Sequence, residues 1–158
     1  MMNKSRPRSI THGSFSIERV YEGATPARVF EAFAKLDVKE RWFHGPAEWD
    51  KVPTTMDFRP GGHETRGGGP KGGVKHRFEG TYYDIVENER MVYAYEMYFD
   101  DVRISVSLAT IELAPAGKHG TKLTMTEHGA FLDGYDDAGQ REKGTKGLLE
   151  MLGAFLAH

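Results

Sequence analysis

In the run Leu123-Thr124-Met125-Thr126-Glu127 a carboxylate follows two apolar residues at a spacing of two. On a strand that spacing sends Leu123, Met125 and Glu127 to the same side. If that side packs against a helix, Glu127 sits in an apolar groove. Desolvation then disfavours its charged form, which suits a general acid or base. The plainer alternative is a glutamate at a frayed strand end, solvated or paired with an arginine. Glu127 is thus the candidate catalytic residue and also a candidate ligand contact.

Aromatic residues form the second signal. Trp42, Phe43, Trp49, Phe58, Phe78, Tyr82, Tyr93 and Tyr95 come from several separate segments. Aromatic walls with a few polar tips suit a pocket for an apolar small molecule, while core filling is the alternative for any one of them. The hydroxyls of Tyr82, Tyr93 and Tyr95 need partners if buried. Phe131, Leu132 and Tyr135 make the connection Gly129–Gly139 too apolar for a free linker; it reads as a lid over a groove or as an anchor on the core. Arg59 and Arg66 lie near glycine-rich turns, where they either meet an anionic ligand or, the favoured reading, stay solvated.

Other chemistry finds little support. His63, His76 and His128 show no HExxH or His-x-His spacing, and strand alternation turns His128 away from Glu127, so no metal site is expected. There is no Gly-x-Ser-x-Gly elbow and no cysteine, and the remaining hydroxyls have no evident base. Gly67-Gly68-Gly69-Pro70-Lys71-Gly72-Gly73 reads as a mobile hairpin loop. A phosphate-binding loop would need Gly-Lys-Ser/Thr running into a helix. No cofactor is expected.

The elements that must position these residues follow from periodicity. From Gln140 to Ala157 the residues Leu148, Leu149, Met151, Leu152, Phe155 and Leu156 form a helical stripe, with Leu148 and Leu152 as candidate ligand contacts. Arg141, Glu142, Lys143, Lys146 and Glu150 mostly fall outside it. Asp136 and Asp137 can cap the helix. Near the other end, Ser14–Glu22 alternates as a first strand. Thr25-Pro26 starts a helix that buries Val29, Phe30 and Phe33, and a second short helix is expected over Val38–Trp42. Strand-length runs follow: Met56 with Phe58, His63–Arg66, Phe78–Val86, Met91–Phe99, Ile104–Ala114 and Thr121–Ala130. Their short connections permit hairpins but not parallel crossovers, so an antiparallel meander is expected. The domain expectation is a flexible N-terminal arm over residues 1–13, with Lys4, Arg6 and Arg8 solvated, then one domain over 14–158.

The chain has 158 residues, a formal charge of -2 and no cysteine, with a pI near 6.4. Nothing here favours nucleic acid, disulfides or thiolate metal sites. No apolar run reaches the ~20 residues of a membrane span, and no hydrophobic leader is visible. A soluble, cytoplasmic protein is expected.

Five phrases in order carry a resemblance: Ala24-Thr25-Pro26-Ala27-Arg28-Val29-Phe30, Arg41-Trp42-Phe43-His44-Gly45-Pro46, Asp57-Phe58-Arg59-Pro60-Gly61-Gly62, Gly80-Thr81-Tyr82-Tyr83-Asp84-Ile85-Val86 and Gly120-Thr121-Lys122-Leu123-Thr124-Met125-Thr126-Glu127. Over residues 14–157 the chain resembles the START-like, helix-grip superfamily known as SRPBCC. More narrowly it resembles the group named after the C-terminal domain of the heat-shock-protein-90 ATPase activator, with polyketide-cyclase-like relatives. The resemblance implies an α+β helix-grip fold: a curved antiparallel sheet of six to seven strands around a long C-terminal helix, with two short helices after the first strand. It also implies a cavity between sheet and helix for an apolar small molecule. Many relatives open the last helix with Gly-Trp, whereas here Thr145 follows Gly144, which leaves space at one end of the groove. Three functions are carried forward. The first is binding of an apolar or aromatic ligand, with Trp42, Phe43, Trp49, Phe58, Phe78, Tyr82, Tyr93, Tyr95, Glu127, Phe131, Leu148 and Leu152 as contacts. The second is a cofactor-independent cyclase, isomerase or lyase using Glu127 with a tyrosine. The third is a co-chaperone-like interaction module, with a homodimer through exposed sheet edges as one form.

Overall fold

A computed structural model describes residues 6–158. Its elements run β1 (Ile10–Tyr21), α1 (Pro26–Ala34), α2 (Leu36–Lys39), β2 (Asp50–Met56), β3 (His63–Gly69), β4 (His76–Val86), β5 (Arg90–Phe99), β6 (Val102–Ala116), β7 (Gly120–Leu132) and α3 (Ala138–Leu156). The seven strands form one sheet in the order β1-β7-β6-β5-β4-β3-β2, and every neighbouring pair is antiparallel. This is the expected α+β helix-grip architecture: a curved open sheet, two short helices after the first strand and a long helix at the end.

Alternation decides which face is the core. Phe15, Ile17 and Tyr21 of β1 are buried, as are Ser105, Ser107, Ala109, Ile111 and Leu113 of β6 and Leu123, Met125 and Glu127 of β7. Val106 and Leu108 point the other way, into solvent. Thr25 caps α1 through its hydroxyl, with Pro26 at the first helical position. Val29, Phe30 and Phe33 then turn inward. Asp137 caps α3 by accepting from the Gln140 amide at 2.9 Å.

The seat of α3 is a close approach along β1. A Cβ at Gly13 would lie 2.4 Å from the Ala138 side chain, and the Tyr21 ring passes within 3.2 Å of where a Gly153 Cβ would be. The Tyr21 hydroxyl donates to the Leu149 carbonyl at 2.9 Å. At the far end the Arg28 guanidinium donates to the Leu156 carbonyl at 2.7 Å, satisfying one of the open carbonyls of the last turn. Leu149, Leu152 and Leu156 are the stripe residues that this arrangement buries.

Several expectations need correction. Strand β1 begins at Ile10, not Ser14, because Ile10–Gly13 pair with Gly129–Leu132. Just before it, Arg6, Arg8 and the Ser9 amide all bond Asp133, so the stretch from residue 6 is tied down rather than a free arm. The expectation for Lys4 lies outside the described residues. Helix α2 occupies Leu36–Lys39 rather than Val38–Trp42, since the Trp42 indole turns into the core and donates to the Ala32 carbonyl at 2.9 Å. Gly67, Gly68 and Gly69 are not loop: they finish β3, all three paired to β2, with Gly67 and Gly68 also paired to β4. A Cβ at Gly69 would stand 2.2 Å from the Val74 carbonyl oxygen, so the sheet closes there only because the side chain is missing.

These contacts give a paired test of the helix seat. Gly13→Val wedges side-chain atoms against Ala138 and should cost about 1–3 kcal/mol of overpacking strain. Gly147→Ala, on an exposed helical turn with nothing within 4 Å of the new methyl, should instead stabilise by up to about 1 kcal/mol. Urea denaturation of both variants checks the pair, and equal effects would contradict the seat.

Candidate functional site

Between the concave face of the sheet and α3 lies a cavity of about 830 Å³. Aromatic residues line much of it. The Phe78 and Tyr95 rings stack at 4.8 Å, Tyr93 lies 6.0 Å from Tyr95, and Tyr82 stands edge-on to Tyr93 at 6.1 Å. Trp42, Phe43, Trp49, His76 and Phe99 continue the wall, while Thr145, Leu148 and Leu149 of α3 close the opposite side.

Two buried polar clusters interrupt this wall. The first surrounds Glu127, which is 1 % exposed. Its Oε2 accepts from the Tyr95 hydroxyl at 2.8 Å. Arg141 donates to the same hydroxyl at 2.9 Å, to Ser105 at 2.8 Å and to Asp136 at 2.9 Å. The guanidinium stays 3.8 Å from Glu127 Oε2. The other carboxylate oxygen, Oε1, is buried with no hydrogen-bond partner among the described residues. Burial raises the Glu127 pKa above its ordinary value, and the Tyr95 hydrogen bond, the Arg141 charge and the nearby Ser107 hydroxyl together do not offset it. A carboxyl group in that condition keeps its proton to higher pH than a solvated one, and it can pass that proton to a ligand or take one from it.

The second cluster sits on β3 and α2. Glu64 is held by the Lys39 ammonium at 3.0 Å, by Arg66 Nε and by the Tyr82 hydroxyl. Burial works to raise the Glu64 pKa, but the charges of Lys39 and Arg66 outweigh it and leave the carboxyl below its ordinary value. Lys39 is pushed down by its own burial, with the charge of Glu64 opposing. Both cations also lie over the Phe43 ring, Lys39 Nζ at 5.2 Å and the Arg66 guanidinium at 4.7 Å.

The residues singled out in the sequence distribute as follows. Trp42, Phe43, Trp49, Phe78, Tyr82, Tyr93, Tyr95, Glu127 and Leu148 line the cavity. Three named residues do not. Phe58 packs between Phe30 and Tyr82 behind the wall. Phe131 is buried under the Arg141 guanidinium, and Leu152 is fully enclosed in the core. Tyr135 reaches the cavity and meets Phe99 edge-on, whereas Phe131 and Leu132 belong to β7. Arg59 is the exposed cation expected, paired with Asp57. Arg66 is not: at 5 % exposure it is a wall residue. Of the histidines, His63 is exposed and bonded to Thr81, His128 is exposed on the far face, and His76 is half-buried between Trp49 and Phe99.

Lys39, Glu64 and Arg141 escaped the sequence reading. Their signals were present. Glu64 and Arg66 are two apart on one strand, so they share a face with opposite charges. Arg141 precedes Thr145, Leu148 and Leu152 at helical spacing, which places it on the buried stripe.

The family described as "Activator of Hsp90 ATPase homolog 1-like protein" matches residues 23–157. The chain belongs to this family. Among solved structures, an uncharacterised protein from Rhizobium leguminosarum is 42% identical, with a TM-score of 0.86 over 96% of this chain and 98% of that one. The Mll3558 protein from Rhizobium loti is 43% identical, with a TM-score of 0.84 over 93% of this chain and 99% of that one. One from Chromobacterium violaceum is 27% identical, with a TM-score of 0.73 over 90% and 96%. No curated protein matches. Among the described residues no helix is long and apolar enough to cross a membrane.

The Glu127 environment carries a pH signature. The folded protein holds the Glu127 proton more tightly than the unfolded chain, where the ordinary value of 4.5 applies. The stability this contributes is fully present below that value and is lost as pH rises through the raised folded value. Glu127→Gln has no such proton to lose. Its melting temperature should therefore gain on the wild type as pH rises above the ordinary carboxyl value of 4.5. Parallel curves of melting temperature against pH would contradict the assignment.

Proposed function

We propose that this protein binds an apolar, aromatic small molecule in the cavity between sheet and α3. One observation carries the reading: a hollow of about 830 Å³, walled by rings, has a buried carboxylate oxygen of Glu127 without a partner. That size suits a drug-sized ligand, and a mostly apolar wall with few polar groups fixes its orientation. An unpaired buried acceptor costs roughly 1–3 kcal/mol, a penalty that a ligand hydroxyl or amide N–H removes on binding. Trp42, Phe43, Trp49, Phe78, Tyr93 and Tyr95 supply the apolar contact, and Glu127 supplies the polar one.

A second reading, proton transfer by Glu127 in a cofactor-independent isomerisation, cyclisation or lyase reaction, is favoured by the 2.8 Å contact with Tyr95. The raised Glu127 pKa and the Arg141 charge beside the tyrosine hydroxyl suit it. A groove filled by side chains, with a large exposed apolar patch, would favour the interaction-module alternative.

Thr145 offers the direct test, because it stands on the helical wall and is small. Thr145→Trp should fill part of the hollow at a cost of about 1–3 kcal/mol in stability. Binding of the neutral fluorophore Nile red, followed by its emission, should weaken at least tenfold in the folded variant. Undiminished dye binding would remove the cavity from the proposal.

A further inference from the structure

The Lys39–Glu64–Arg66 cluster is more than the wall needs for packing. Lys39 and Arg66 are 7 % and 5 % exposed, and the carboxylate they share, Glu64, is 2 % exposed. One buried anion thus faces two buried cations. The next carboxylate, Glu40, is 41% exposed and 3.7 Å from Arg66, where water screens it. Arg66 Nη2 is buried with no hydrogen-bond partner among the described residues, although Nη1 and Nε are engaged. A guanidinium fork with one free prong beside an excess of positive charge is the geometry that takes a carboxylate.

The opposite end of the cavity has the reverse need. There Glu127 presents an unpaired acceptor, and Arg141 is already matched by Asp136. The two ends belong to β3 and β7, four strand spacings apart in the sheet. At about 4.8 Å per spacing this is roughly 19 Å along the sheet and less across its concave side. Between them lies the Phe78–Tyr95 stack.

We propose that the ligand is an aromatic hydroxy acid lying across the sheet, its carboxylate on Arg66 and Lys39 and its hydroxyl donating to Glu127. This rests on the cavity reading above and adds the ligand's charge and direction. The anion relieves the unbalanced cations, the hydroxyl relieves Oε1, and the rings lie on the stacked pair.

Three probes separate the claims: a biphenyl with a para carboxylate at one end and a para hydroxyl at the other, the same biphenyl lacking the carboxylate, and the same biphenyl lacking the hydroxyl. Calorimetric titration of the full chain should rank the hydroxy acid first. Loss of the carboxylate should weaken binding at least tenfold, and loss of the hydroxyl a few-fold. Arg66→Lys keeps a positive charge beside Glu64 but removes the fork, so the preference for the carboxylate should fall to within about threefold. Equal affinities with and without the carboxylate would overturn the anionic end while leaving an apolar cavity intact. Unchanged selectivity in a folded Arg66→Lys would overturn the role of Arg66. Failure of all three probes, together with undiminished Nile red binding by Thr145→Trp, would overturn the cavity reading itself.

Discussion

The molecule depends on how α3 is held along one edge of the sheet. The helix meets the sheet chiefly through β1, where Gly13 and Gly153 let backbone and ring approach closely and Tyr21 bonds into the helix. Fixed there, α3 cannot also lie flat on β3 to β6, because the sheet curves away beneath it. Its inward middle presents Thr145 and no aromatic. Among the described residues only Arg141, near the start of α3, reaches across to Tyr95 and Ser105; beside Thr145 a hollow follows from the geometry of the seat.

That hollow is unusual in what it encloses. Charged groups taken from water must be paired, and removing one partner from such a pair costs on the order of 3–5 kcal/mol. Here each carboxylate binds a tyrosine hydroxyl and stands near an arginine: Glu64 with Tyr82 and Arg66, Glu127 with Tyr95 and Arg141. The parallel stops at the surroundings. Glu64 has two cations at close range and is held ionised, while Glu127 has one at 3.8 Å and leans toward its neutral form. The same residue type takes opposite protonation tendencies within one cavity because the local charge count differs.

Much of this was legible in the residue order. Period-two alternation located the strands, short turns required antiparallel pairing, and Thr25-Pro26 marked the first helix. The side chosen by Leu123 and Met125 also turned Glu127 inward. What was not legible came from long-range packing. Gly67–Gly69 look like a loop because glycine is a poor strand residue, yet crowding by the β4 side of the hairpin makes the bare backbone the one that fits. Arg141, Glu64 and Lys39 look solvated because charged residues usually are. Their burial depends on partners 46, 18 and 25 positions away along the chain, which no local pattern encodes. Leu152 sits on the expected helix but one layer behind the wall, while Phe58 lies past the end of β2 and Phe131 belongs to β7 rather than to the connection, differences of depth and register that alternation does not resolve.

Strand β2 is the sheet's outer margin on the side away from α3. It has seven residues, its pairing slips between Val52 and Thr55, and Pro53 stands at the slip with no amide to offer. Such a border is a poor template for a neighbouring chain, since an incoming strand would meet a gap in the ladder and a local twist. The margin that faces solvent is therefore built to end the sheet. A dimer formed by continuing β2 into a second copy is disfavoured by the backbone itself.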